Sequence, residues 1–195
     1  MSLVDRARNI ITKPVAEWPV IAAEPATVGS LYTGYIIPLA LIGTVCGLAA
    51  SLFIYHSLVL ALIGAVVGFV LQMIIVFVAA LVAQALAPNF GGANDRIAAL
   101  KWIAYASTPG WIAGIFLLIP ILGGFIVLLA DLFGLYLLFT GATPMMRVPK
   151  ERSVGYIVIV IVALIVLEIL ITIVVGLVTA PFMIAAGAFK SLTSP

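Results

Sequence analysis

Leu58–Leu86 reads LVLALIGAVVGFVLQMIIVFVAALVAQAL, without one charged residue. About 20 apolar residues suffice for a helix to cross roughly 30 Å of hydrocarbon. At about 1.5 Å per residue this run would be roughly 43 Å long, so it must tilt, bend or project. On either side of it, Ile36–Tyr55, Trp102–Ile119, Phe125–Ala142 and Tyr156–Ala180 are further apolar runs near or above that length. The expectation is an all-α polytopic membrane protein with five transmembrane helices.

Composition agrees. Hydrophobic residues make up 65% of the chain, charged residues 8%, and mean hydropathy is +1.37. A soluble domain carries about 25% charged residues. The surface of a water-soluble fold could not absorb such an apolar excess. Nine basic against seven acidic residues leave a net charge of +2, too weak and too scattered to suggest nucleic acid as a partner. Cys46 is the one cysteine and His56 the one histidine, so neither an internal disulfide nor a histidine-based metal site is expected. No cleaved leader is expected either, because the first run lies behind some thirty mixed residues and is too long for an h-region.

The chain divides into three parts: a cytoplasmic segment over 1–30, a transmembrane domain over 31–189 and a short external tail over 190–195. In the first, Leu3, Val4, Ala7, Ile10 and Ile11 recur at helical spacing opposite Asp5, Arg6, Arg8 and Asn9. That pattern predicts a short amphipathic interfacial helix, with Trp18 as its anchor at the membrane surface. Pro14, Pro19 and Pro25 should break the stretch beyond that helix into short pieces.

Loop charge orients the spans. Arg6, Arg8, Lys13, Arg96, Lys101, Arg147, Lys150 and Arg152 share one side of a five-span arrangement, leaving Lys190 on the other. The positive-inside rule then places the N-terminus in the cytoplasm and the C-terminus outside. A re-entrant hairpin made of the third and fourth runs would give the same charges, though their length favours full crossing. Pro120-Ile121-Leu122-Gly123-Gly124 supplies the breakers for the turn between them. Pro109-Gly110 should kink the third run, with Ser107 and Thr108 placed to satisfy the freed backbone. Asn94 or Asp95 should cap the helix beginning near Ile97.

Two acids interrupt the apolar runs: Asp131 about six residues in from the outer end of the fourth and Glu168 near the middle of the fifth, so the two are expected at different depths. Ionisable groups inside a bilayer are expensive and point to function by default. No basic side chain lies within a run to pair with them; Gln72, Tyr136 and Thr140 are candidate hydrogen-bond partners. A proton or cation relay is one reading, and a protonated acid acting as glue between helices is the other. Small residues recur four apart at Gly43 and Gly47, Gly64 and Gly68, Gly110 and Gly114, and Ala130 and Gly134. Such spacing lets helix backbones approach closely. It serves either an oligomer interface or packing within one chain. No nucleophile–base pair, metal motif, cofactor motif or phosphate loop is present, so no enzymatic activity and no cofactor are expected.

The stretch from Lys101 to Tyr156 resembles the Yip family, membrane proteins named for interaction with Ypt/Rab GTPases. Lys101, Ala104-Tyr105-Ala106-Ser107 and Pro109 carry the resemblance, followed by Ile119-Pro120 with Gly123, Gly141, Pro144, Pro149-Lys150 and Gly155-Tyr156. The resemblance implies five spans and a cytoplasmic N-terminus, and covers about Pro14 to Ala180. Eukaryotic members carry a long hydrophilic lead and an Asp-Leu-Tyr-Gly-Pro segment, for which this chain has only Leu31-Tyr32-Thr33-Gly34. It therefore looks like a compact bacterial member. The expected role is organisation of the bacterial inner membrane through helix packing, with the lipid bilayer, a second copy or another membrane protein as partner. A small proton- or cation-linked transporter is the alternative.

Overall fold

The computed structural model describes residues 1–55 and 57–193, the side chains of 54, 55, 171, 179 and 182–193 excepted. The His56 half of the first turn and the side chains of the 190–195 tail, Lys190 included, thus lie outside the described residues. All regular structure among the described residues is helical.

Among the described residues, four helices are long and apolar enough to cross a membrane: Val28–Phe53, Leu58–Phe90, Leu122–Met146 and Lys150–Val178. The first begins as a single turn, α3 (Val28–Leu31), passes through a π turn at Tyr32–Ile36 and continues as α4 (Ile37–Tyr55). Thr27 and Ser30 cap its start reciprocally, which satisfies two orphan amides there. The second is α5 (Leu58–Leu86), closed by a 3₁₀ turn at Ala87–Phe90. The remaining two are α8 (Leu122–Met146) and α9 (Lys150–Thr193).

The expected third span is segmented instead of continuous. It consists of α6 (Arg96–Ala106), α7 (Thr108–Ala113) and a 3₁₀ turn, Gly114–Leu118. The break falls just ahead of Pro109, which has no amide to donate and disfavours helix in the residue before it. The hydroxyls expected to cover the freed backbone do otherwise: Ser107 Oγ donates at 2.9 Å to the Ile103 carbonyl, which already accepts the Ser107 amide, and the Thr108 hydroxyl bonds that of Tyr35. Asp95, rather than Asn94, caps α6: its carboxylate accepts from the Ile97 and Ala98 amides at 2.9 and 3.0 Å. Asn94 accepts from Gln84 Nε2 at 2.6 Å.

This segmented element is wedged between α4 and α8, while α5 packs on α4, α6 and α9. The turn into α8 closes on Ile121 and not on either glycine: at φ 67° and ψ −56° it lets the Leu122 amide donate to the Pro120 carbonyl at 2.7 Å, a three-residue turn. Gly123 is needed for another reason: a Cβ there would run into the Phe116 carbonyl.

The N-terminal segment forms α1 (Leu3–Thr12) and α2 (Pro14–Ala23). The amphipathic pattern does make a helix, but Ala7 and Ile10 on its apolar side are buried in the protein. Trp18 is likewise no interfacial anchor: it is fully buried, beneath α8 and beside Trp102. Pro14 starts α2 at its first turn, where its missing amide costs nothing. Pro19, expected to break the chain, sits inside α2 on the exposed side together with Val15, whose carbonyl would otherwise take the amide that proline lacks.

Candidate functional site

Asp131, Glu168 and Gln72 come together. All three line one cavity of about 930 Å³ bounded by α4, α5, α8, α9 and the start of α7. The expected difference in depth disappears once α8 and α9 run back to back from their shared turn. Asp131 is about fifteen residues, roughly 23 Å, from Met146, and Glu168 about eighteen residues, roughly 27 Å, from Lys150. Counted from the same end, they stand at similar levels.

Both acids are exposed on the cavity wall and Gln72 is half-buried. Among the described residues none of the three side chains has a hydrogen-bond partner, and no Lys or Arg lines the cavity. The other expected partners serve elsewhere. Thr140 accepts from Trp18 Nε1 at 3.1 Å, and Tyr136 packs on Phe133 with ring centroids 5.5 Å apart.

The glycines separate into two groups. A Cβ on Gly114 would collide with the backbone of Gly43, so α4 and the 3₁₀ turn cross at closest approach there. Gly134 faces the Ala106 carbonyl, and Gly47 faces Leu117. Gly110 makes room for the Asp131 carboxyl, which a Cβ would displace. These residues pack the chain against itself. All of these glycines border the cavity, but Gly64 and Gly68 on α5 differ in that a Cβ on either would meet nothing within 4 Å.

A second polar constellation lies under the N-terminal segment, and the sequence alone did not disclose it. Arg6 is 4% exposed and Glu17 6%, and the two are ion-paired; Arg6 also pairs with Glu24. The Arg6 guanidinium stands 6.0 Å from the Tyr105 ring centroid. Lys101, 5% exposed, donates from Nζ to the carbonyl of Ile21 at 2.8 Å and to that of Glu24. It thereby places a cation at the C-terminal end of α2, where orphan carbonyls and the helix dipole favour one. Burial pulls the Lys101 ammonium below its ordinary 10.5, while the Glu24 carboxylate works against that shift. Nearby, the Tyr35 and Thr108 hydroxyls are bonded at 2.8 Å. The missed signal was Glu17 and Glu24, seven apart and hence on one face, with an arginine on the preceding helix.

The residues that carry the family resemblance hold this region together. Lys101 and Tyr105 belong to the ion cluster, and Pro109 opens α7. Gly141 lies beneath Trp18 and Trp102, with no space for a Cβ. Tyr156 stacks on Trp102 at 5.4 Å and donates to the Ala83 carbonyl at 2.7 Å. Gly155 packs on Phe90; Pro120 stands in the turn before α8, and Pro144 sits inside α8 near its end.

No curated protein and no solved structure matches the chain. The family model of the Yip1 domain does, over residues 8–172. That match runs from the middle of α1 past Glu168, taking in Glu17, Glu24 and Lys101 of the ion cluster, though not Arg6, and nearly all of the cavity and of the four long apolar helices, and so the chain belongs to the Yip1-domain family of membrane proteins.

Proposed function

We propose that this protein is a non-enzymatic organiser of the membrane that assembles other helices against its own, in the bacterial inner membrane with the N-terminus cytoplasmic. The observation that carries this reading is the open glycine face of α5. Gly64 and Gly68 are one turn apart with nothing within 4 Å, whereas Gly43, Gly110, Gly114 and Gly134 are consumed by internal packing. In lipid, where apolar burial drives little association, small residues that admit a second backbone supply the packing energy. Of the small-residue faces offered for an oligomer interface, Gly43 with Gly47 and Gly64 with Gly68 among them, this reading takes the α5 one. Replacing Gly64 and Gly68 by leucine fills that face; covalent cross-linking in native membranes should then lose its higher-mass species, while the bundle still folds. Unchanged cross-linking would remove this reading.

A second reading is favoured by one observation, the convergence of Asp131, Glu168 and Gln72 in a single cavity. A small proton- or cation-linked transporter would use such a set. Flux in proteoliposomes that disappears on Asp131→Asn or Glu168→Gln would select it over the organiser.

A further inference from the structure

The cavity beside α5 is a groove, and its shape and charge restrict what can occupy it. A helix is about 10 Å across; sunk to half its width, it would fill about 930 Å³ over roughly 20–25 Å, most of a bilayer's hydrocarbon. Gly64 and Gly68 form the floor where such a helix would approach most closely. Volume alone would also admit acyl chains. The two carboxyls decide against them, because hydrocarbon offers an ionisable group neither a partner nor solvation.

The complementary group must be a cation held well below the headgroups. Glu168 is about eighteen residues, roughly 27 Å, from Lys150 at one end of α9, and Asp131 is about nine residues, roughly 14 Å, from Leu122 at the opposite end of α8. A lipid headgroup does not reach that level. A second copy of this chain has no Lys, Arg or His near the middle of its four long apolar helices to present there; its candidates are Lys150 and Arg152 at one end of α9 and Lys190 toward the other. A bare inorganic cation is poorly matched as well, since two carboxyls and one amide fall short of the six to eight oxygens that calcium takes, and magnesium keeps its own waters.

We propose, building on the assembly reading, that the groove seats a transmembrane helix of a different membrane protein carrying a lysine or arginine near its middle, with Gly64 and Gly68 against its backbone and Asp131, Glu168 and Gln72 receiving its cation. Neither partner then exposes an unpaired charge to lipid. Each alone leaves an ionisable group without a partner, and the complex is specific because only a basic helix gains from it.

The test uses the full chain in phosphatidylcholine vesicles, labelled with a donor dye at its single cysteine, Cys46, which does not line the groove. The probes are two synthetic Leu/Ala transmembrane peptides bearing an acceptor dye, one with a central lysine and one with leucine there. The lysine peptide should half-saturate energy transfer at about tenfold lower density than the leucine peptide. The D131N/E168Q variant should erase that preference, and G64L/G68L should weaken both peptides. Since loss of binding could reflect misfolding, an E168K variant is paired with a glutamate-centred peptide, whose preference over the leucine peptide should appear. Equal binding of the two peptides to the native chain, or a lysine preference that survives D131N/E168Q, overturns the inference while leaving assembly intact. Binding of neither peptide overturns the inference and the assembly reading together. Dominant transfer between differently labelled copies of the chain, removed by G64L/G68L, makes the occupant a second copy and overturns only the inference.

Discussion

Gly141 is where one atom has the largest consequence. A Cβ there would stand 2.6 Å from Trp18 Cε2 and 2.7 Å from Trp102 Cδ1, and two indoles cannot both retreat. Gly141→Ala should therefore destabilise by about 1–3 kcal/mol, the range for overpacking a tight core. Trp18→Ala should relieve most of it, so thermal unfolding of the double variant should fall well short of additivity. Lys101→Met is the second case. It leaves the Ile21 and Glu24 carbonyls without their donor, at about 1–3 kcal/mol, and limited proteolysis should then cut near residues 13–27. The pH dependence has a definite sign. The folded value of Lys101 lies below the unfolded 10.5, so the unfolded chain binds more protons between the two. Stability from this group should rise with pH across that window, and alkaline proteolysis should slow relative to Lys101→Met. A rate that climbs with pH more steeply than in the variant would contradict this.

At the scale of elements, the third apolar run is the informative one. Its hydropathy and length suit a span, yet Pro109 and the small residues around it divide it into α6, α7 and a 3₁₀ turn. Those breaks let Gly114 meet Gly43 and let Gly110 clear space for Asp131. Hydropathy windows sum over such interruptions and so cannot register them. Topology is still testable: a reporter fused after Gly123 should localise opposite to one fused after Arg147. The same side for both would mean that Leu122–Met146 does not cross. Gly110→Val should displace the Asp131 carboxyl and reduce labelling of that acid by a water-soluble carbodiimide severalfold, with little change at the termini. Unchanged labelling would show that Gly110 does not set the carboxyl's position.

Across the whole molecule, the all-α membrane class was readable from apolar run length alone, because lipid leaves the backbone no alternative to helix. The pairing of Asp131 with Glu168 was not, since depth read along separate helices ignores how α8 and α9 return from one turn. The ion cluster was hidden for a different reason. Arg6, Glu17 and Lys101 are charged residues, and charge outside an apolar run ordinarily signals solvent; only tertiary packing shows that these three are inside. Trp18 misled in the same way, because tryptophan near a first span is commonly at the interface. The packing as a whole predicts that urea applied to native membranes should release the N-terminal segment first, with Trp18 fluorescence shifting to longer wavelength before the helical signal falls. A single coincident transition would show that the segment and the long helices unfold as one unit.

The placing of Trp18 imposes an order of events on biosynthesis. Its slot is made by Thr140, Gly141 and Trp102, all encoded far downstream. At about 5–20 residues per second, roughly 6–25 seconds separate translation of the indole from translation of Gly141. Throughout that interval the leading stretch must wait with its greasy side uncovered, available to chaperones, and a segment made well ahead of its own slot is among the last to reach its final position.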